Sequence, residues 1–314
     1  MPLAFPAYEK PDRKTGRYRP ATASRKLMTE LLRGELGFEG IIVTDALSMC
    51  GFCSWAPYEQ RMLDCFNGGA DVFLWPDTAR FFGLMRQALT DGRASAARLD
   101  ESVRRVLEFK ALLGLHEARP PVRLPAETLA GHRATAAAIA ERSVTLLRNR
   151  EGLLPLQLPS GANLLMLVME NRPPNLNTWA PLRDELTRRG YTVTLAEFES
   201  FGKYRASLEQ YAAVLVLGNI GTMNCGGSTM RVTGPAAGQI WPFMADSYAN
   251  KIFVSFGTPY LLYEIAAGDT YLNAYSNCEA SQRSVARALI GEMPFQGRSP
   301  VACKYAFRHG DGLV

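Results

Sequence analysis

The chain has 314 residues, enough for two cores, since a single core rarely grows past about 250 to 300 residues. Hydrophobic residues make up 47% and charged residues 21%, with Gly and Pro not inflated, which excludes a disordered or fibrous protein. The net charge of +5 comes from 35 basic and 30 acidic residues that are scattered, without the Lys/Arg stripe and interleaved aromatics that mark a nucleic-acid binder.

The opening "MPLAFPAYEKPDRKTG" has neither a basic n-region nor a long apolar run, so it does not read as a signal peptide. No stretch approaches the ~20 apolar residues of a membrane span. A cytoplasmic location with no membrane partner is the default expectation. "SRKLMTELLRGEL" (24–36) predicts an amphipathic helix with Ser24 at its N-cap and Leu27, Leu31 and Leu32 on one face, stopped by Gly37. "GIIVTD" (40–45) reads as a short apolar strand of the type buried on both faces of a parallel sheet. A helix over 57–68, a second such strand in "ADVFLWP" and a helix over 78–90 follow. A longer helix then begins near Ser95 and closes at Gly114. That alternation is the rhythm of a parallel α/β unit.

"EARPPVRLP" (117–125), with three prolines and no apolar period, predicts a linker. A helix around 128–142 leads through "SVTLLRNREGLLPL" into a second α/β series. Its strands are expected at 163–169, 191–195, 213–217, 252–256 and 270–275, and its helices near 179–189, 235–248, 259–267 and 280–290. The order implies a doubly wound sheet with helices on both faces. Six cysteines occur, of which Cys50 and Cys53 form a C-x-x-C. No second pair at zinc spacing accompanies them, so reduced, mostly buried thiols and no metal site are expected.

Asp45 is the residue that most invites chemistry. Parallel α/β folds deliver side chains at the carboxyl ends of their strands, where loops form the ligand crevice. A carboxylate there either caps the next turn or serves a site, and local rules leave both open.

"LLRGELGFEGIIVTDALSM", "GGADVFLWPDT", "SVTLLRNREGLLPL" and "GEMPFQGRSPV" with a terminal "HGDGL" run in one order along nearly the whole chain. In that order they resemble glycoside hydrolase family 3. The resemblance implies an α/β protein made of the last strands and helices of a (β/α)₈ barrel (1–116), a linker (117–127) and an α/β sandwich domain (128–314). It also implies that Asp45, at the end of the seventh barrel strand, is the catalytic nucleophile of a retaining glycosidase, working on a carbohydrate without metal or cofactor. "TDALSM", with Ala46 where the β-glucosidase branch commonly has an aromatic, is closer to the β-N-acetylglucosaminidase branch, which implies N-acetylhexosamine substrates. Met49 either lines the sugar site as an apolar wall or packs into its own core. Trp55 and Tyr58 either stack on sugar faces or are buried.

Retaining hydrolysis needs a second group that protonates the departing oxygen and later activates water. The glucosidase branch of the family takes it from a glutamate on a loop of the second domain. Here "GTMNCGGSTMR" stands in that place, with no Asp or Glu anywhere between Tyr211 and Ala245. The other branch uses a histidine on an upstream barrel loop, which is absent, and His116, His132 and His309 all fall in settings that predict structural roles. A closed barrel takes roughly 250 residues, whereas the linker begins at residue 117. Three explanations stay open: a gene fragment, a split enzyme whose missing strands come from a second chain, or a non-catalytic carbohydrate-interacting remnant. A β-glucosidase-type specificity is the alternative within the family.

Overall fold

The computed structural model describes residues 5, 7–117, 123–221, 231–246, 250–266 and 268–313. It divides into two compact units, Met1–Val122 and Arg123–Val314.

The first unit opens with a wide helix, Lys26–Glu35, in which hydrogen bonds run from residue i+5 to i, as from Leu36 N–H to the Leu31 carbonyl at 2.9 Å. Ser24 accepts the Leu27 amide at 3.2 Å, as an N-cap does. The wider winding brings positions five apart onto one face. Leu27 and Met28 are therefore buried with Leu32 packed beside them, in place of the Leu27, Leu31 and Leu32 face expected for 3.6 residues per turn. Next come β1 (Val43–Ala46), α1 (Cys50–Cys53), α2 (Tyr58–Gly68), β2 (Val72–Leu74), α3 (Thr78–Thr90) and α4 (Ala96–Leu112). Asp77 caps α3 by accepting the Arg80 amide at 3.2 Å.

β1 and β2 form a two-stranded parallel sheet, with Val43 opposite Val72 and Ala46 opposite Leu74. The expected burial on both faces is not what forms. Ile42 and Thr44 are buried, whereas Val43 is 54% exposed and Asp45 is exposed with it. With strand alternation at period 2, one face of β1 has a core beneath it and, among the described residues, the other has none.

The second unit holds α5 (Ala126–Ser143), β3 (Thr145–Asn149), β4 (Asn163–Met169), α6 (Ala180–Arg188), β5 (Thr192–Glu197), β6 (Ala213–Gly218), α7 (Pro235–Ala245), β7 (Lys251–Ser255), β8 (Thr270–Asn273) and α8 (Glu279–Leu289). Its six-stranded sheet runs β3-β8-β7-β6-β4-β5, parallel except for β3, which pairs antiparallel with β8. Alternation along β4 divides the interior. Leu164, Met166 and Val168 join Trp179, Leu182, Leu186 and Val285 on one face; Leu165, Leu167 and Met169 join Phe198, Phe201 and Phe243 on the other. The fold is therefore mixed α/β around a largely parallel sheet buried on both sides.

Two local expectations change. The segment expected as a helix over 259–267 makes only a 3-10 turn, Leu261–Tyr263, which drives Leu261, Leu262 and Ile265 into the core. β3, an edge strand hidden in "SVTLLRN", is an addition to the expected series.

Candidate active site

Asp45 is the penultimate residue of β1, and its position follows from its neighbours. Thr44 points inward and its hydroxyl accepts the Leu74 amide at 3.0 Å, tying β1 to β2 through a side chain as well as the backbone. Three residues further on, the Leu47 amide donates to the Leu74 carbonyl at 3.1 Å, and the Met49 amide closes a turn onto the Ala46 carbonyl, also at 3.1 Å. Asp45 stands exposed between these anchors. Its Oδ1 accepts the Ala46 amide at 2.7 Å, and among the described residues its Oδ2 has no hydrogen-bond partner. A carboxylate held by one oxygen with the other open to solvent can act as a nucleophile or as a base.

The strand is also braced from its amino end. Asp71, whose side chain is fully buried, accepts the Ile42 amide at 3.0 Å, the Ser102 hydroxyl at 2.6 Å, and the guanidiniums of Arg33, Arg98 and Arg105 at 2.6, 3.1 and 3.3 Å. Burial pushes the Asp71 carboxyl up, but the Ile42 amide, the Ser102 hydroxyl and the arginines outweigh it and hold the group below the usual carboxylate range. Arg33 also donates to the carbonyls of Phe38 and Gly40, both at 3.0 Å, clasping the loop that enters β1.

The other sequence-predicted residues follow Asp45 on the segment leading into α2, whose first residue is Tyr58. Met49 is 47% exposed, so packing into its own core does not hold for it. Trp55 is half-buried with the Arg19 guanidinium over its ring at 5.4 Å. Tyr58 donates to the Asp77 carbonyl at 3.0 Å, and Arg80 sits over its ring at 4.4 Å. Both rings are thus partly covered by the protein's own cations. Trp75 went unnoticed in the sequence: it follows β2 with a positive φ of 55°, is 70% exposed, and stands at the same carboxyl end of the sheet as Asp45. Its signal was an aromatic between an apolar strand and Pro76, a place where a bulky side chain held at positive φ is strained.

Residues 3–109 match the glycosyl hydrolase family 3 N-terminal domain. A β-N-acetylglucosaminidase/β-glucosidase of Cellulomonas fimi is 31% identical over 303 residues, an alignment covering 90% of this chain and 52% of that enzyme. Among solved structures, a β-glucoside phosphorylase, BglX, superposes with a TM-score of 0.63 at 27% identity, over 92% of this chain and 54% of that one. A glycoside hydrolase family 3 β-N-acetylglucosaminidase from Paenibacillus sp. str. FPU-7 shares the fold with a TM-score of 0.65 at 23% identity, over 93% of this chain and 55% of that one. Residues 3–109 therefore carry a glycoside hydrolase family 3 domain, and the chain resembles family 3 enzymes along most of its length. It spans about half the length of that Cellulomonas relative, 52%, and 27% of a β-hexosaminidase A from Pseudoalteromonas piscicida.

Most residues of these motifs have structural work. In "GGADVFLWPDT", Gly69 ends α2 at a φ of 120°, Asp71 braces β1, and Asp77 caps α3. In "GEMPFQGRSPV", the Gly297 amide donates to the Val144 carbonyl at 3.1 Å, and a Cβ there would lie 2.4 Å from the Ser143 carbonyl oxygen. The segment where a general acid would be sought, 222–230, lies outside the described residues. His116 is exposed in the turn that follows α4, where it pairs with Glu117 at 3.9 Å, while His132 on α5 and His309 are also exposed. Among the described residues no group of three or more His, Cys, Asp or Glu is placed to hold a metal, and no helix is long and apolar enough to cross a membrane.

Proposed function

We propose that this chain contributes the nucleophile of a retaining β-glycosidase, with Asp45 attacking the anomeric carbon of a terminal N-acetylhexosamine. In the first step a C–O bond forms to Asp45 as the glycosidic C–O bond breaks, and the departing oxygen takes a proton. In the second, water displaces the carboxylate, the sugar leaves with retained configuration, and the water's proton returns to the acid/base group. That group is outside the residues assigned here.

The observation that carries the reading is the exposed Asp45 carboxylate at the carboxyl end of a parallel strand, anchored on both sides by Thr44, Leu47 and the Asp71 cluster. Such strand ends are where barrel enzymes place their chemistry. Among the described residues the β1–β2 pair has an exposed face and no further strand at its edges, which supports a second part of the proposal: the pair is the closing segment of a (β/α)₈ barrel. Further polypeptide, in cis or in trans, supplies its other strands and the acid. The printed names of the relatives include β-N-acetylglucosaminidase, β-hexosaminidase and β-glucosidase, and Ala46 after the nucleophile favours the N-acetylhexosamine reading.

An activated aryl N-acetyl-β-glucosaminide, whose leaving group needs little protonation, tests the proposal alongside the matching aryl β-glucoside. The 314-residue chain alone is expected to turn over neither. Supplying the complementary barrel half should restore hydrolysis of the N-acetylglucosaminide, and Asp45→Asn should remove it again. Restored activity that survives Asp45→Asn would refute the nucleophile assignment. Preference for the glucoside would refute the sugar assignment. Failure of any barrel half to restore activity would favour the non-catalytic remnant.

A further inference from the structure

Two thiols near Asp45 have no part in glycoside hydrolysis. Cys50 and Cys53 begin and end α1, both exposed and both reduced, against the expectation of mostly buried cysteines. Cys65 and Cys303 do meet that expectation. Burial raises both thiols, Cys65 to about 12, which keeps them protonated and unreactive.

The turn carrying the exposed pair is well formed. The Cys53 amide donates to the Met49 carbonyl at 2.8 Å and the Ser54 amide to the Cys50 carbonyl at 2.9 Å, with Phe52 buried beneath. At 1.5 Å rise and 3.6 residues per turn, positions i and i+3 have Cα atoms about 5 Å apart, with their side chains on one face. That separation lies inside the roughly 4.4–6.8 Å range over which a disulfide closes without moving the backbone.

The Cys53 thiol also reaches back toward the site. It donates to the Leu47 carbonyl at 3.4 Å, and Leu47 is the buried residue whose amide ties the Asp45 turn to β2. Closing a Cys50–Cys53 bond removes that S–H donor.

We infer that Cys50 and Cys53 form a thiol–disulfide exchange site that accepts low-molecular-weight disulfides, and that closing it releases the hydrogen bond from Cys53 to the turn behind Asp45. One protein thiolate attacks a sulfur of the incoming disulfide. The S–S bond breaks, one small thiolate leaves and takes up a proton, and a mixed disulfide remains on the protein. The second cysteine, as thiolate, then attacks the protein-bound sulfur and expels the second small thiol. The dithiol loses two electrons and two protons, and the small disulfide gains both. The exchange chemistry stands apart from the glycosidase reading; only its bearing on Asp45 as a nucleophile rests on that reading.

The test uses the full chain with Cys278→Ser and Cys225→Ser, which removes the other exposed thiol and the one outside the described residues. It is incubated with oxidised glutathione and then freed of it. The expected product has lost two hydrogens and carries no glutathione, with a Cys50–Cys53 cross-link on peptide mapping. Amide exchange at Cys53 and Ser54 slows severalfold, exchange at Leu47 changes with it, and dithiothreitol reverses all three. Cys50→Ser in the same background should instead hold a stable glutathione adduct on Cys53. A stable adduct on the intact pair, absence of reaction with either cysteine, or a cross-link that leaves Leu47 exchange unchanged would each overturn the inference. No readout depends on hydrolytic activity.

Discussion

Asp71 shows how much of this protein's chemistry depends on a residue that does none. Three guanidiniums, a hydroxyl and a backbone amide converge on one buried carboxylate. Removing one partner of such a cluster leaves the others buried without compensation. Asp71→Asn is therefore expected to cost the first unit about 3–5 kcal/mol, read by urea unfolding followed in a probe confined to that unit. Because the folded-state carboxyl is held below its ordinary value, its contribution is fully present above about pH 4 and is lost as pH falls through the depressed value. The stability gap between the parent and Asp71→Asn should accordingly narrow in acid, and a gap that widens there would refute the assignment. Asp45 could be picked out from sequence because an acid ending an apolar strand is conspicuous and the family resemblance implies a role for it. Asp71, an acid beginning the next strand, carries an equal local signal. Its partners, however, come from positions 33, 42, 98, 102 and 105, which only the fold assembles.

Elements with a strong apolar period were readable in advance. α3 occupies 78–90 as its pattern predicts, and the buried strands β4 and β6 begin where their runs of Leu, Val and Met begin. The elements that differ are those whose geometry is set by neighbours. The helix Lys26–Glu35 winds wider than its period implies, and the 259–267 segment spends its apolar residues on a turn. β3 exists because β8 offers it an edge. The same dependence gives Gly297 its meaning. With backbone and hydroxyl oxygens of Ser143 and Thr145 at 2.4 and 2.3 Å from an added Cβ, Gly297→Ala must displace the start of β3. It is expected to destabilise the second unit by about 1–3 kcal/mol, measured by urea unfolding, while the first unit's midpoint stays in place.

Across the whole chain, apolar surface is unevenly distributed. In the first unit a groove of about 640 Å³ between α3 and α4 is lined by Phe81, Phe82, Leu99, Val103 and Leu107, and Val43 and Trp75 are exposed at the β1–β2 pair, which has no further strand beside it among the described residues. Surfaces of this kind bind apolar dyes and promote association. The isolated chain is expected to enhance the fluorescence of such a dye and to elute as concentration-dependent oligomers, and Phe82→Lys with Leu107→Lys should reduce the dye signal; an unchanged signal would mean that the groove is closed in solution. If Asp45 is the nucleophile proposed above, its place on a two-stranded sheet also makes the order of the reaction informative. If the completing strands arrive on a separate polypeptide, turnover per Asp45 falls as the mixture is diluted, because the competent species dissociates by mass action. If they are covalently continuous with β1, turnover per Asp45 is indifferent to dilution. A dilution series run on the active preparation thus reports the connectivity of the barrel from a rate alone.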